Sequence, residues 1–181
     1  MIEPGQYEQL QRAVFASGSQ RVFAVLDGAI IDGLPALLQR HAPKAMCLFS
    51  GDLDPMLAAA APYLVELQPG STAAEIVLRD GWNAHWGIVL HVDEGTNASA
   101  LRSHLRRVLR VATPDGRAML FRFFDPRAFR TVIPTLDADQ QKQFFGPIKG
   151  CYTEGRSAGS ALYFRRENAT QPRQITLGLA A

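Results

Sequence analysis

Leu101-Arg102-Ser103-His104-Leu105-Arg106-Arg107-Val108-Leu109-Arg110 opens the most informative stretch of this chain. An Asp115-Gly116 turn, a Met119 to Phe124 run, the tetrapeptide Phe124-Asp125-Pro126-Arg127 and a closing Phe144-Phe145-Gly146-Pro147 follow it. The first segment has helical periodicity over 98–109: Leu101, Leu105, Val108 and Leu109 share one face, and Arg102, Arg106 and Arg110 recur every four residues on another. Asp93-Glu94-Gly95-Thr96-Asn97 is a polar loop that can cap this helix. Thr113-Pro114-Asp115-Gly116 is a strong turn signal between Leu109-Arg110-Val111 and an alternating strand from Ala118 to Phe123, which predicts a hairpin. After Pro126, which suits the first turn of a helix, two short helices are expected at Ala128 to Ile133 and Asp137 to Phe144, parted by Pro134.

Outward from this stretch, helix and strand patterns alternate. Tyr7, Leu10, Ala13 and Val14 have helical spacing, and Arg21 to Leu26 reads as a strand ending in Asp27-Gly28. A helix near Leu34 to Arg40, a strand over Ala45 to Phe49, a short helix at Leu57 to Ala61 and a strand over Tyr63 to Leu67 come next. Ser71 and Thr72 offer caps for a helix from Ala73 to Arg79. Trp86 to Val92 is apolar enough for a strand buried on both faces. Ile148 to Gly159 reads as loop, Ala161 to Arg166 as one more strand, and the tail as polar and then small and apolar. The expected fold class is α/β, a mixed sheet with flanking helices. It is read as one domain over 1–181, in which 1–95 and 96–181 could form two lobes joined near 93–97.

The chain has 181 residues, 47% of them hydrophobic and 20% charged, enough for a sizeable core. Its net charge is only +2, yet residues 97–130 hold eight arginines (102, 106, 107, 110, 117, 122, 127 and 130) against Asp115 and Asp125. That segment carries local positive potential. Two cysteines, Cys47 and Cys151, are too few for a disulfide framework, and Cys47 sits in an apolar run where burial is expected. A reducing cytoplasm fits this usage. Met1 to Gln6 has neither a basic nor an apolar leader region, and no apolar stretch approaches the roughly 18–20 residues of a membrane span, so export by its own signal is not expected.

Catalytic groups are hard to find. No nucleophile neighbours a base, no carboxylate pair is poised for proton transfer, and His41, His85, His91 and His104 are too scattered for a metal site. No cofactor is expected, and Gly146-Pro147-Ile148-Lys149-Gly150 lacks phosphate-loop spacing. Trp82 and Trp86 around Asn83-Ala84-His85 could hold a ring or a sugar, but core and edge packing is the better reading, with each indole N–H partnered.

In their order along the chain, Phe23-Ala24-Val25-Leu26-Asp27-Gly28, Pro62-Tyr63-Leu64-Val65-Glu66-Leu67, Trp86-Gly87, Leu101 to Leu109, Asp115-Gly116, Phe121-Arg122-Phe123-Phe124-Asp125-Pro126-Arg127 and Phe145-Gly146-Pro147 resemble the adaptor-chaperone domain of bacterial type VI secretion, long labelled only as a domain of unknown function. The resemblance covers about residues 20 to 148. It implies a cytoplasmic, non-enzymatic protein that binds a toxic effector and helps load it onto the spike protein of the injection apparatus. Arg102, Arg106, Arg107, Arg110 and Arg117 are the candidate partner-binding residues. Arg122, Phe124, Asp125, Pro126, Arg127, Phe145, Gly146 and Pro147 form the motif, structural or partner-binding; Asp before Pro suggests a helix cap, and Arg122 with Asp125 an ion pair or capping network. The competing reading is a nucleic-acid binder using the arginine-rich helix 98–110. Acidic residues nearly match basic ones in number, aromatics do not interleave with the arginines, and no known binding motif is present, all of which weigh against it.

Overall fold

The computed structural model describes residues 1–16, 18–112 and 115–178. The chain is mixed α/β, built on a seven-stranded sheet of order β2-β3-β1-β4-β7-β8-β9 with a separate two-stranded sheet, β5-β6. The strands are β1 (Gln20–Asp27), β2 (Met46–Cys47), β3 (Pro62–Leu67), β4 (Gly87–Asp93), β5 (Arg110–Ala112), β6 (Ala118–Leu120), β7 (Ile148–Glu154), β8 (Ser160–Phe164) and β9 (Arg173–Thr176). The helices are α1 (Pro4–Val14), α2 (Leu34–His41), α3 (Pro55–Ala60), α4 (Thr72–Glu75, continued by a wider turn at Ile76–Asp80), α5 (Ala98–Val108), α6 (Pro126–Val132) and α7 (Ala138–Phe145). Neighbouring strands of the large sheet all run antiparallel, rather than in mixed directions. Among the described residues no helix is long and apolar enough to cross a membrane.

Strand periodicity places a core on each face of the sheet. Val22, Ala24 and Leu26 of β1 point to one side, where Leu10 and Val14 of α1, Leu34 and Leu38 of α2, Leu78 and Trp82 complete a core. Phe23 and Val25 point to the other, joined by Leu101 and Leu105 of α5, Phe129 of α6, and Phe144 and Phe145 of α7. Helices from the first half of the chain thus cover one face and helices from the second half the other. Each fully buried Leu or Phe contributes roughly 1.5–3 kcal/mol relative to exposure.

Two histidines tie helix ends to this frame. The last carbonyls of a helix lack partners within it; here Val14 accepts from Nε2 of His91 at 2.7 Å, and Ala13 accepts from the Tyr152 hydroxyl at 2.9 Å. On the opposite face Nε2 of His104 donates to the Phe144 carbonyl at 2.8 Å. Burial lowers the pKa of both histidines, outweighing those backbone hydrogen bonds. An imidazole with a depressed native pKa binds its proton more readily in the unfolded chain, whose value is about 6.5. Stability should therefore be intact above about pH 6.5 and fall as pH drops through that value toward the native ones. Urea unfolding between pH 8 and 5 checks this, and a His91→Gln/His104→Gln double variant should show a flatter profile over that range.

Several sequence expectations need correction. Ile148 to Gly159 is not a loop: residues 148–154 form β7, between β4 and β8. Gly150 suggests a loop by composition, but a Cβ there would collide with the Tyr163 ring, so it marks close packing within a sheet. The strand expected at Ala45 to Phe49 is only two residues long, and Cys47 is half-buried at the sheet edge rather than in the core. The strand expected through Phe123 or Phe124 stops at Leu120, because Phe123 and Phe124 are consecutive and both buried, which an alternating strand on one core cannot accommodate. In the polar tail, Arg173–Thr176 add an edge strand. The Asp115-Gly116 end of the hairpin turn is described, whereas Thr113 and Pro114 lie outside the described residues. The indole N–H of buried Trp82, expected to be partnered, meets no acceptor among the described residues.

Candidate partner-binding site

The motif residues converge at one end of the large sheet. Leu26 of β1 is opposite Gly87 of β4, and the Asp27 N–H donates to the Trp86 carbonyl at 2.8 Å, so Asp27-Gly28 and Trp86-Gly87 adjoin. Gly87 has a steric reason, since a Cβ there would run into the Val25 carbonyl oxygen. Asp27 is 1% exposed; one of its oxygens accepts from the Ala29 N–H at 3.0 Å and the other pairs with Arg122. The ion pair fastens the segment after β6 to the end of β1.

Asp125 caps α6. Its Oδ1 accepts from the backbone N–H of Arg127 at 2.9 Å, and the same carboxylate takes two side-chain hydrogen bonds from Arg127, at 3.0 and 2.8 Å. Burial acts to raise the Asp125 pKa, but those bonds and the Arg127 charge outweigh it and hold the carboxyl below its usual range. The sequence proposed an Arg122–Asp125 network; the ion pairs observed are Arg122 with Asp27 and Arg127 with Asp125. Asp125→Ala should cost about 0.5–2 kcal/mol, read as a lower urea midpoint with unchanged slope. The contribution of Asp125 is present above about pH 3.9 and lost as pH falls through its lower native value, so the variant should lose that part of the acid dependence.

Glu154 was not singled out by sequence, because it lies within Ile148 to Gly159, a segment read as loop. It is 2% exposed, and its two oxygens accept from the His85 backbone N–H at 2.7 Å and face its Nδ1 at 2.6 Å. Asn83 and His85 both have left-handed backbones, with φ of 66° and 60°, which residues other than glycine rarely adopt, and the Glu154 contacts hold His85 in place. Arg130 completes the cluster by donating to the carbonyls of Glu154 and Gly155 at 2.6 and 2.8 Å. Arg122–Asp27 thus ties the segment before α6 to the end of β1, Arg130 ties α6 to the end of β7, and Glu154 ties β7 to the turn at His85, while Arg127–Asp125 braces the first turn of α6. Every carboxylate in the cluster is engaged, and among the described residues no group of three or more His, Cys, Asp or Glu could hold a metal ion. The chemistry of this end is structural clamping.

The remaining motif residues pack. Phe124 lies edge-on to Phe123 at 5.8 Å between ring centres, Pro126 opens α6 buried, and Phe145 is buried at the end of α7 before Gly146-Pro147 turns the chain into β7.

The arginine-rich face is different in character. Arg102, expected on the exposed stripe, turns inward: Nε donates to the Cys47 carbonyl at 2.7 Å and Nη2 to the Phe49 carbonyl at 3.4 Å. Since the Leu48 N–H pairs with Pro62 on the other side, these two carbonyls face away from the sheet, and Arg102 closes its β2 edge. Arg117 is at the hairpin tip, paired with Asp115 at 2.6 Å and both exposed. Arg106, Arg107 and Arg110 come together. They border a groove of about 510 Å³ whose apolar walls are Leu48, Phe49, Leu53 and Leu57 on one side and Leu109 and Leu120 on the other. Leu57 is 43% exposed and Leu120 46%. Among the described residues none of the three guanidinium groups takes part in an ion pair or hydrogen bond. Arg107 and Arg110 also border a second groove of about 750 Å³, floored by Val108, Phe121, Leu136 and Phe144, so they form a ridge between two depressions. Sequence alone marked the arginines. The apolar wall from Leu48 to Leu57 could not be placed beside them, because it is distant in the chain.

The family described as "Domain of unknown function (DUF4123)" matches over residues 22–143, more than half of the chain, from β1 into α7. No curated protein and no solved structure matches the chain.

Proposed function

The chain belongs to the DUF4123 family, and we propose that it is a non-enzymatic adaptor that binds a specific type VI secretion effector in the cytoplasm and helps load it onto the spike protein. The observation that carries this reading is the groove between α5 and the β2–α3 segment, apolar in its walls and rimmed by three arginines that have no ion-pair or hydrogen-bond partner among the described residues. Like charges held together without a partner gain nothing in the free protein, and exposed leucines beside them leave apolar surface in water. A bound protein segment would relieve both. The resemblance of residues 20–148 to the secretion adaptors supplies the class of partner. The clamp at the sheet end supports the reading indirectly, because it fixes the segment after β6, whose Leu120 walls the groove, to the sheet.

Co-purification of the tagged chain from its native cytoplasm at low and high salt, with identification of bound protein and nucleic acid, tests the proposal. Recovery of one large toxin-like protein, with or without a spike component, is the expected result. Nucleic acid that salt strips away would move the assignment to the arginine-helix reading.

A further inference from the structure

Resting on the adaptor reading, the groove also indicates what form its occupant takes: we infer that it binds an acidic amphipathic helix of the partner protein, with apolar residues against the leucine walls and carboxylates facing Arg106, Arg107 and Arg110.

Charge supplies the first half of the argument. Guanidinium forks match carboxylates bidentately, and three of them border one apolar depression whose lining, among the described residues, includes no acid; Asp139 lines only the adjoining groove. A second copy of this chain would bring the same three arginines to the same place, and like charges repel. Single-stranded nucleic acid needs stacking platforms along a basic groove, and the walls offer leucines with one phenylalanine, Phe49.

Backbone supplies the second half. An extended segment docking beside β2 would draw its affinity from the outward carbonyls of that strand. Arg102 already occupies the carbonyls of Cys47 and Phe49. Recognition therefore falls to side chains. An amphipathic helix satisfies its own backbone and presents apolar residues at i, i+3, i+4 and i+7 with acids on the flank.

Fluorescence anisotropy with the full chain and labelled synthetic peptides of about 20 residues, some 30 Å as helix, tests this. The probes are a leucine-striped helix with glutamate flanks, its lysine-flanked twin, the glutamate peptide broken by two central prolines, and a 20-nucleotide single-stranded DNA. The glutamate helix should bind at least about tenfold more tightly than the lysine twin. An Arg106→Glu/Arg110→Glu variant of unchanged melting temperature should reverse that preference, an outcome that misfolding cannot produce. Equal affinity for the two helices, equal affinity for the proline-broken peptide, or tighter binding of the DNA each overturns the inference. So does a concentration-dependent dimer in sedimentation that the double variant dissociates. This outcome separates from that of the adaptor reading. Cargo captured by a chain indifferent to peptide charge removes the helix and leaves the adaptor; a clear charge preference with no cargo does the reverse.

Discussion

Phe129→Ala is expected to destabilise the protein by about 3–5 kcal/mol, the usual range for removing a fully buried phenylalanine. Its ring is 0% exposed and lies edge-on to Phe144 at 5.6 Å and to Phe164 at 5.1 Å between centres. It therefore couples three elements at once, α6, α7 and β8. Those neighbours also contact other aromatics: Phe144 meets Phe123 and Phe145. Collapse into the void would require several rings to reorient, so the cavity should persist and keep the loss near the upper end of that range. Against a total stability of about 5–15 kcal/mol this is a large fraction. Urea unfolding should show a much lower midpoint with the same slope, and Phe129→Leu, which keeps most of the volume, should recover the greater part of the loss.

Reversing Arg106 and Arg110 to glutamate should weaken cargo binding by about 2–4 kcal/mol, a thirtyfold to thousandfold rise in Kd. Neither side chain has an ion-pair or hydrogen-bond partner among the described residues, so the fold should not notice; both replacement acids would instead repel the carboxylates proposed for the cargo. Titration of the captured effector by calorimetry, alongside melting temperatures, measures both quantities. An unchanged Kd in the folded variant would take the groove out of the mechanism. Arg102 belongs in a separate experiment, since its hydrogen bonds to Cys47 and Phe49 make it part of the scaffold.

Much of the architecture could be read from residues alone, where the pattern is local. The helix at 98–109, a cap from the polar loop 93–97, the two-sided burial of β4 and the Asp125 cap all follow from spacing or composition close in the chain, and the structure contains each of them, with Asn97 as the capping residue of that loop. What escaped was set by distant neighbours. Gly150 fits a strand only because Tyr163 packs where its side chain would be. Arg102 and Arg106 share a helical stripe, but only the return of residues 47–49 to that spot turns the first inward. The groove suffered the same fate: its arginines are adjacent in sequence, whereas the leucines opposite come from more than 40 residues upstream. Glu154 was invisible because its strand was.

The strand order also governs how the chain is made. A ribosome delivers β1 to β4 first, and these four can assemble as β2-β3-β1-β4 while the rest is still being synthesised. One flank of that intermediate is β4, whose pairing strand β7 follows only after α5, the hairpin, α6 and α7. Until then β4 presents an unpaired ladder, and one side of the young sheet lacks the helices that will cover it, the condition in which nascent chains stick to one another. A nascent or truncated chain ending before Ile148 should accordingly depend on help from general folding factors. A protein proposed to shield another's apolar segments would itself pass through a stage that needs shielding.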